Sequence, residues 1–295
     1  MLDMSHRFFI TDVFAESRYS GNQLATFFDA EDISSEEMQS IAKETNFSET
    51  TFILGDRRPN GGYDVRIFTP DSELPFAGHP TLGTAFLIWK HKMKGDGRRV
   101  NLNLKVGQIP VDVPDRENGM FWMTQATPVF GKELDWSGVT EILGLEASDL
   151  DDKFPVQVVS TGFPFLIVPL RTLDALRRAA VDRKKYFDHL AKGFPENVLI
   201  FSPETYHADE DLSVRVFPVS QGIAEDPATG SGNGCLAAYL AEHRYFGNDK
   251  IDAVVGQGYE VGRPSKLSLR TSRREGSFEV RVGGRVVQIA EGTWG

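Results

Sequence analysis

Glu225-Asp226-Pro227-Ala228-Thr229-Gly230-Ser231-Gly232-Asn233-Gly234-Cys235-Leu236-Ala237-Ala238-Tyr239-Leu240 opens with an acid and a proline, passes three alternating glycines and ends in an apolar run. Leu236, Tyr239, Leu240 and His243 fall at i, i+3, i+4 and i+7, the spacing of one helix face. The stretch reads as a glycine-rich loop feeding an amphipathic helix. Glycines let the backbone turn tightly and let a ligand come close. A helix start offers unpaired N–H groups and a partial positive charge, which suit a carboxylate or phosphate. Asp226 sets an acid beside that anion cradle, which points to chemistry; the plainer alternative is a tight turn kept for packing.

The stretch has an echo in Phe76-Ala77-Gly78-His79-Pro80-Thr81-Leu82-Gly83-Thr84-Ala85-Phe86-Leu87. Here too a small-residue turn and a titratable residue before proline lead into a helix, with Leu82, Ala85, Phe86 and Trp89 on one face. A strand pattern precedes each copy: Val65-Arg66-Ile67-Phe68 before the first and Val214-Arg215-Val216-Phe217 before the second. The unit occurs once per half, which is a two-lobe repetition and not a solenoid period. His79 and Asp226, each followed by proline, read as equivalent members of the two repeats. Two facing lobes would aim both helix starts at one cleft, where an imidazole and a carboxylate could act as an acid–base pair.

Bulk properties narrow the function classes. The 295 residues are 40% hydrophobic and 25% charged, the balance of a soluble globular protein with real cores. The net charge of −10 disfavours a nucleic-acid partner. No apolar run reaches membrane-spanning length, and the N-terminus lacks a signal-peptide pattern, so a cytoplasmic protein is expected. A single cysteine excludes an intrachain disulfide.

Along the chain, strands are expected at Phe8 to Val13, Leu24 to Phe28, Thr50 to Leu54, Val100 to Leu104, Ile109 to Val113 and Phe121 to Thr124. Ser34-Ser35-Glu36-Glu37 is a capping box for a helix reaching about Thr45. The domain boundary falls near Thr127-Pro128, giving lobes 1–127 and 128–295 with central helices near 81–90 and 231–245. The last strand could return to the first lobe. In the second lobe, short helices are expected near Val139 to Leu143, Leu173 to Ala180 and Lys184 to Lys192. Strands there are Val156 to Thr161, Phe165 to Val168, Val198 to Phe201, Leu212 to Phe217, Lys266 to Leu269, Phe278 to Val282 and Val286 to Ile289. Many strands with scattered helices argue for an α+β fold.

Other chemistries find less support. Gly230-Ser231-Gly232-Asn233-Gly234 is GxGxG, not the dinucleotide GxGxxG, and no P-loop Gly-Lys-Ser/Thr is present. His207-Ala208-Asp209-Glu210-Asp211 places potential ligands in a row on a polar loop, without metal-site spacing. Cys235, on the apolar helix, reads as a buried packing residue. Glu49, taken alone, reads as a solvated turn carboxylate.

Together these residues resemble the phenazine-biosynthesis isomerase-like (PhzF) family, relatives of diaminopimelate epimerase. The resemblance runs nearly end to end. It rests on Asp12-Val13-Phe14, Gly21-Asn22, Ile41-Ala42, Asn46-Phe47-Ser48-Glu49-Thr50-Thr51-Phe52, Arg66-Ile67-Phe68-Thr69-Pro70, Glu73-Leu74-Pro75-Phe76-Ala77-Gly78-His79-Pro80-Thr81-Leu82-Gly83 and Glu225 through Gly232. It implies two pseudo-symmetric lobes, each a curved, mostly antiparallel sheet around a central helix, with the active site between them. It also implies a homodimer, and no metal or organic cofactor.

By the same resemblance, Glu49 is the carboxylate that moves a proton between ring carbons of a small carboxylate-bearing substrate. His79 and Asp226 match its supporting polar pair. Gly78, Gly230, Ser231 and Gly232 match the backbone that holds the substrate carboxylate. The epimerase relatives use two cysteines, and the matching places here hold Ala77 and Thr229, which disfavours two-thiol racemisation. The expected activity is therefore cofactor-independent isomerisation. A non-catalytic small-molecule or protein-binding module on the same fold, or a racemase or epimerase, are the alternatives.

Overall fold

The computed structural model describes residues 5–116 and 119–295. The chain divides into two compact units, the first running to Met123 and taking in Gly283–Gly295, the second Thr124–Val282.

In the first unit β1 (His6–Val13) pairs antiparallel with β2 (Asn22–Phe27). The capping box behaves as its sequence demands: the Ser34 hydroxyl accepts the Glu37 N–H, α1 spans Ser35–Thr45, and Asn46 ends it in a left-handed conformation. That helix carries the chain back so that β3 (Glu49–Leu54) runs parallel to β2. β4 (Tyr63–Phe68) is antiparallel to β3, and the two-residue β5 (Glu73–Leu74) folds back on β4. Then comes α2 (Gly78–Leu87), prolonged by a π-helical turn at Ile88–Lys92. β6 (Arg99–Leu104) lies parallel to β4, with β7 (Gly107–Asp112) and β8 (Phe121–Thr124) continuing antiparallel.

The second unit starts with β9 (Val129–Leu134), which pairs with β10 (Val156–Ser160) around α3 (Ser137–Leu143). β10 pairs with β11 (Pro164–Pro169). After α4 (Leu173–Arg178) and α5 (Arg183–Leu190), capped by Thr172 and Asp182, β12 (Val198–Ser202) runs parallel to β11. β13 (Leu212–Phe217) is antiparallel to β12, and α6 (Gly230–Glu242) follows. β14 (Asp252–Gln257) is parallel to β13 and antiparallel to β15 (Ser265–Arg274). β16 (Ser277–Gly284) leads to β17 (Val286–Trp294), which pairs with β1 from His6↔Trp294 to Val13↔Val286.

The fold is α+β, its sheets mostly antiparallel, and the sheet of each unit wraps a central helix. All ten residues of α2 are buried, and it packs on β1, β2, β3, β6 and β7. Eleven of the thirteen residues of α6 are buried, against β10, β11 and β15. α6 is not amphipathic, contrary to its sequence pattern: a helix enclosed by its sheet has no solvent face, so small and apolar residues occupy all its sides. Small residues also let the sheet approach. A Cβ on Gly83 would lie 2.6 Å from a Leu24 methyl and 2.8 Å from a Val13 methyl. α2 starts three residues ahead of Thr81, because Pro80 sits in a first turn that needs no N–H from it. β5, β9 and β14 were absent from the sequence reading; β5 has only two residues, and the exposed β9 lacks apolar alternation.

Candidate active site

Glu49 is the first residue of β3, and His79 is the second residue of α2. Their side chains meet, with His79 Nε2 3.4 Å from Glu49 Oε2. Only 6% of the His79 side chain and 15% of the Glu49 side chain are exposed. Burial pushes the imidazole pKa down to about 3, opposed by a hydrogen bond to the Gln23 backbone. The contact is therefore a carboxyl group against a neutral ring, despite its ion-pair distance. Among the described residues Nε2 has no hydrogen-bond partner, so Nδ1 is the ring atom bonded to Gln23. A backbone carbonyl accepts, which puts the ring proton on Nδ1 and leaves a lone pair on Nε2. A proton carried by Glu49 thus faces a lone pair 3.4 Å away, on a ring that burial keeps neutral.

This burial has a consequence for stability. The unfolded chain protonates His79 near its ordinary value of about 6.5, before the folded protein does. The stability contributed by the neutral ring is complete above pH 6.5 and is lost as pH falls towards 3. Urea midpoints should decline over that window, and His79→Gln should show a shallower decline. Parallel declines in the two proteins would rule the ring out as a source.

In the second unit, Asp226 is 7% exposed and fixed by its backbone, whose N–H donates to the Val216 carbonyl at 3.0 Å. Thr229 Oγ1 donates to Asp226 Oδ2 at 2.5 Å. Gly230, Ser231 and Gly232 form the first turn of α6. The first helical bond is Asn233 N–H to Thr229 O at 3.0 Å, so the three preceding N–H groups have no acceptor within the helix. Gly78 holds the corresponding first position of α2. Neither central helix has a side-chain cap, unlike α1, α4 and α5. Their N-terminal dipole ends are therefore suited to an anion.

The two repeats are real, but their register differs from the sequence reading. Arg66 bonds both oxygens of Glu73, at 2.9 and 2.8 Å, and lies over the Phe68 ring. Arg215 bonds both oxygens of Glu225, at 3.0 and 2.7 Å, and lies over the Phe217 ring. Ile67 pairs with Leu74, as Val216 bridges to Asp226. Ala77 and Thr229 are then the matching N-cap residues. Asp226 therefore corresponds to Leu74, and His79 to Ser231. The shared proline dipeptide misled the reading, since strand register sets equivalence.

Cys235 is fully buried, its Sγ 3.4 Å from the Phe163 carbonyl and 3.5 Å from Thr161 Oγ1. Desolvation pushes its pKa up to about 11, the opposite of what a reactive thiolate needs. Cys235→Ala should leave activity intact and cost on the order of 1 kcal/mol through a small cavity. Rapid alkylation of the native protein with matching loss of activity would instead give the thiol a role.

The polar run His207 to Asp211 is consumed by structure: Asp209 pairs with Lys266, Glu210 accepts from Tyr259, and Asp211 accepts the Val254 N–H at 2.7 Å. Among the described residues, no group of three His, Cys, Asp or Glu side chains is placed to hold a metal. No helix among them is long and apolar enough to cross a membrane. Sequence reasoning missed Gln257, at the end of the unforeseen β14; it had no motif to mark it. Its amide bonds both Asp226 and Thr229.

The family model for phenazine biosynthesis-like protein (PhzC-PhzF) matches residues 11–292. The trans-2,3-dihydro-3-hydroxyanthranilate isomerase of Pseudomonas aeruginosa is 35% identical over 295 residues, covering 97% of this chain and 98% of its own length. The crystal structure of a Bacillus anthracis phenazine biosynthesis protein of the PhzF family matches with a TM-score of 0.88 at 26% identity. That match covers 98% of this chain and 99% of the other. A probable proline racemase from Agrobacterium radiobacter is similar in fold alone, with a TM-score of 0.61 at 11% identity over 98% of this chain and 93% of the other.

Proposed function

The chain belongs to the phenazine biosynthesis-like (PhzF) family and is an isomerase, and we propose that it moves a proton between two carbons of a small carboxylate-bearing substrate. The observation that carries this reading is the buried Glu49–His79 contact, a carboxyl group 3.4 Å from the lone-pair nitrogen of a neutral imidazole. As a carboxylate, Glu49 can take a proton from one carbon, the negative charge passing to the substrate skeleton, and then return the proton to another carbon. Glu49 takes and returns the proton, and His79 relays or orients it. Asp226 holds a polar group of the substrate. First-turn N–H groups of a central helix, at Gly78 in the first unit or at Gly230, Ser231 and Gly232 in the second, suit its carboxylate and negative charge that develops on the carbon skeleton.

The name of the Pseudomonas relative supplies the first substrate to try, trans-2,3-dihydro-3-hydroxyanthranilate. In deuterated water the protein should place deuterium at one specific carbon of that compound, or of another small unsaturated carboxylate, while isomerising it. Binding without any carbon-bound exchange across such a panel would overturn the reading and leave a binding module.

A further inference from the structure

We propose that Gln257 is a positioning residue that acts through Thr229 to hold Asp226 as a hydrogen-bond-accepting anion, and not as a proton donor, during the reaction. The inference deepens the reading of Asp226 as a substrate-facing group and rests on it.

Gln257 closes β14 and is fully buried. Its amide orientation is forced. The Asp226 carbonyl can only accept, and Gln257 Nε2 donates to it at 2.7 Å. The Thr229 N–H can only donate, and it lies 3.3 Å from Gln257 Oε1. The second Nε2 proton goes to Thr229 Oγ1 at 3.1 Å. Asn233 Nδ2 locks the other end, donating to Gln257 Oε1 at 2.8 Å and to the Thr229 carbonyl at 3.1 Å. Gly258, at φ +81°, lets the strand end press on the loop, since a Cβ there would be 2.5 Å from the Pro227 carbonyl.

The chain of donors then has one direction. Thr229 Oγ1 receives a proton from Gln257, so its own proton must go to another acceptor. Among the described residues, the partner that remains is Asp226 Oδ2 at 2.5 Å. A hydroxyl that donates to a carboxyl oxygen favours the ionised form. The same bond fixes the carboxylate rotamer. In the reaction, Asp226 thereby accepts hydrogen bonds from substrate O–H or N–H groups, while proton transfer to and from carbon stays with Glu49 and His79.

The test follows the Asp226 carboxylate itself, by carbon-13 NMR of protein carrying labelled aspartate, with Asp226→Asn to assign the signal. Thr229→Val should move its titration to higher pH, and Thr229→Ser should titrate like the parent. Gln257→Met should also move it upward, and Thr229→Val with Gln257→Met should move it no further than Thr229→Val alone, because Gln257 acts through the hydroxyl. Should the methionine variant fail to fold, Gln257→Leu removes the amide donor without adding a titratable group beside Asp226. With substrate, Thr229→Val should lower kcat about tenfold, the scale of one hydrogen bond to a charged group, with KM little changed. An unmoved titration in Thr229→Val, or in a folded Gln257 variant, overturns the inference. Wild-type exchange rates in Asp226→Asn would instead sink the functional reading of Asp226, a separate result.

Discussion

Glu49→Gln should lower kcat by about three orders of magnitude while leaving the fold intact. The amide keeps the shape and can still face His79 Nε2, but it cannot take a proton from carbon. General acid–base groups contribute roughly 10²–10⁴ in rate, which sets the scale. The stability cost should stay within about 1 kcal/mol, since no carbon atom is lost and the side chain is partly exposed. Deuterium uptake into substrate is the direct readout, and the urea midpoint is its control. Uptake at the parental rate would eliminate Glu49 as the shuttle and leave His79 as the remaining base in the first unit.

The largest stability effect should come from Arg215→Met. Arg215 and Glu225 are each about nine-tenths buried, with 8% of either side chain exposed. Arg215 Nη1 also donates to the carbonyls of Leu176 at 2.8 Å and Ala179 at 2.6 Å. Removing the guanidinium leaves a buried carboxylate without its bidentate partner and strips the end of α4 of its donor. Breaking a buried pair from one side costs about 3–5 kcal/mol, much of it from the stranded charge. Arg215→Met with Glu225→Leu should therefore be more stable than Arg215→Met alone. Arg66→Met should cost clearly less, because the Arg66 side chain is 25% exposed and Glu73 keeps Lys105 at 2.7 Å. Equal losses for the two arginines, measured by urea denaturation, would contradict the burial argument.

These two arginines also mark how far the sequence could be read. The strand patterns around Arg66 and Arg215, the helix after each, and the capping box at Ser34 all depend on residues within one or two turns of each other. Such local signals survive in the amino-acid order, and they were sufficient for the α+β class and both central helices. Glu49 was legible only through resemblance, since a lone glutamate at a strand start carries no local signature, whereas the repeated turn before each central helix had already marked His79 as a candidate, though with the wrong counterpart. The contact of Glu49 with His79 joins residues thirty positions apart, through the return of β3 beside α2.

Tertiary structure alone decided the rest. The equivalence of Asp226 with Leu74, and not with His79, follows from strand register, which the shared proline dipeptide concealed. The pairing of β17 with β1 joins the two ends of the chain. Gln257 reaches Asp226 and Thr229 from 31 and 28 residues away. A glutamine at the end of a short strand is unremarkable in sequence; only burial with two backbone groups and a hydroxyl fixes its amide, and with it the direction of the hydrogen bonds. Periodicity and capping are written locally, whereas the proton arrangement of the site depends on distant groups that meet only when the sheet closes around its helix.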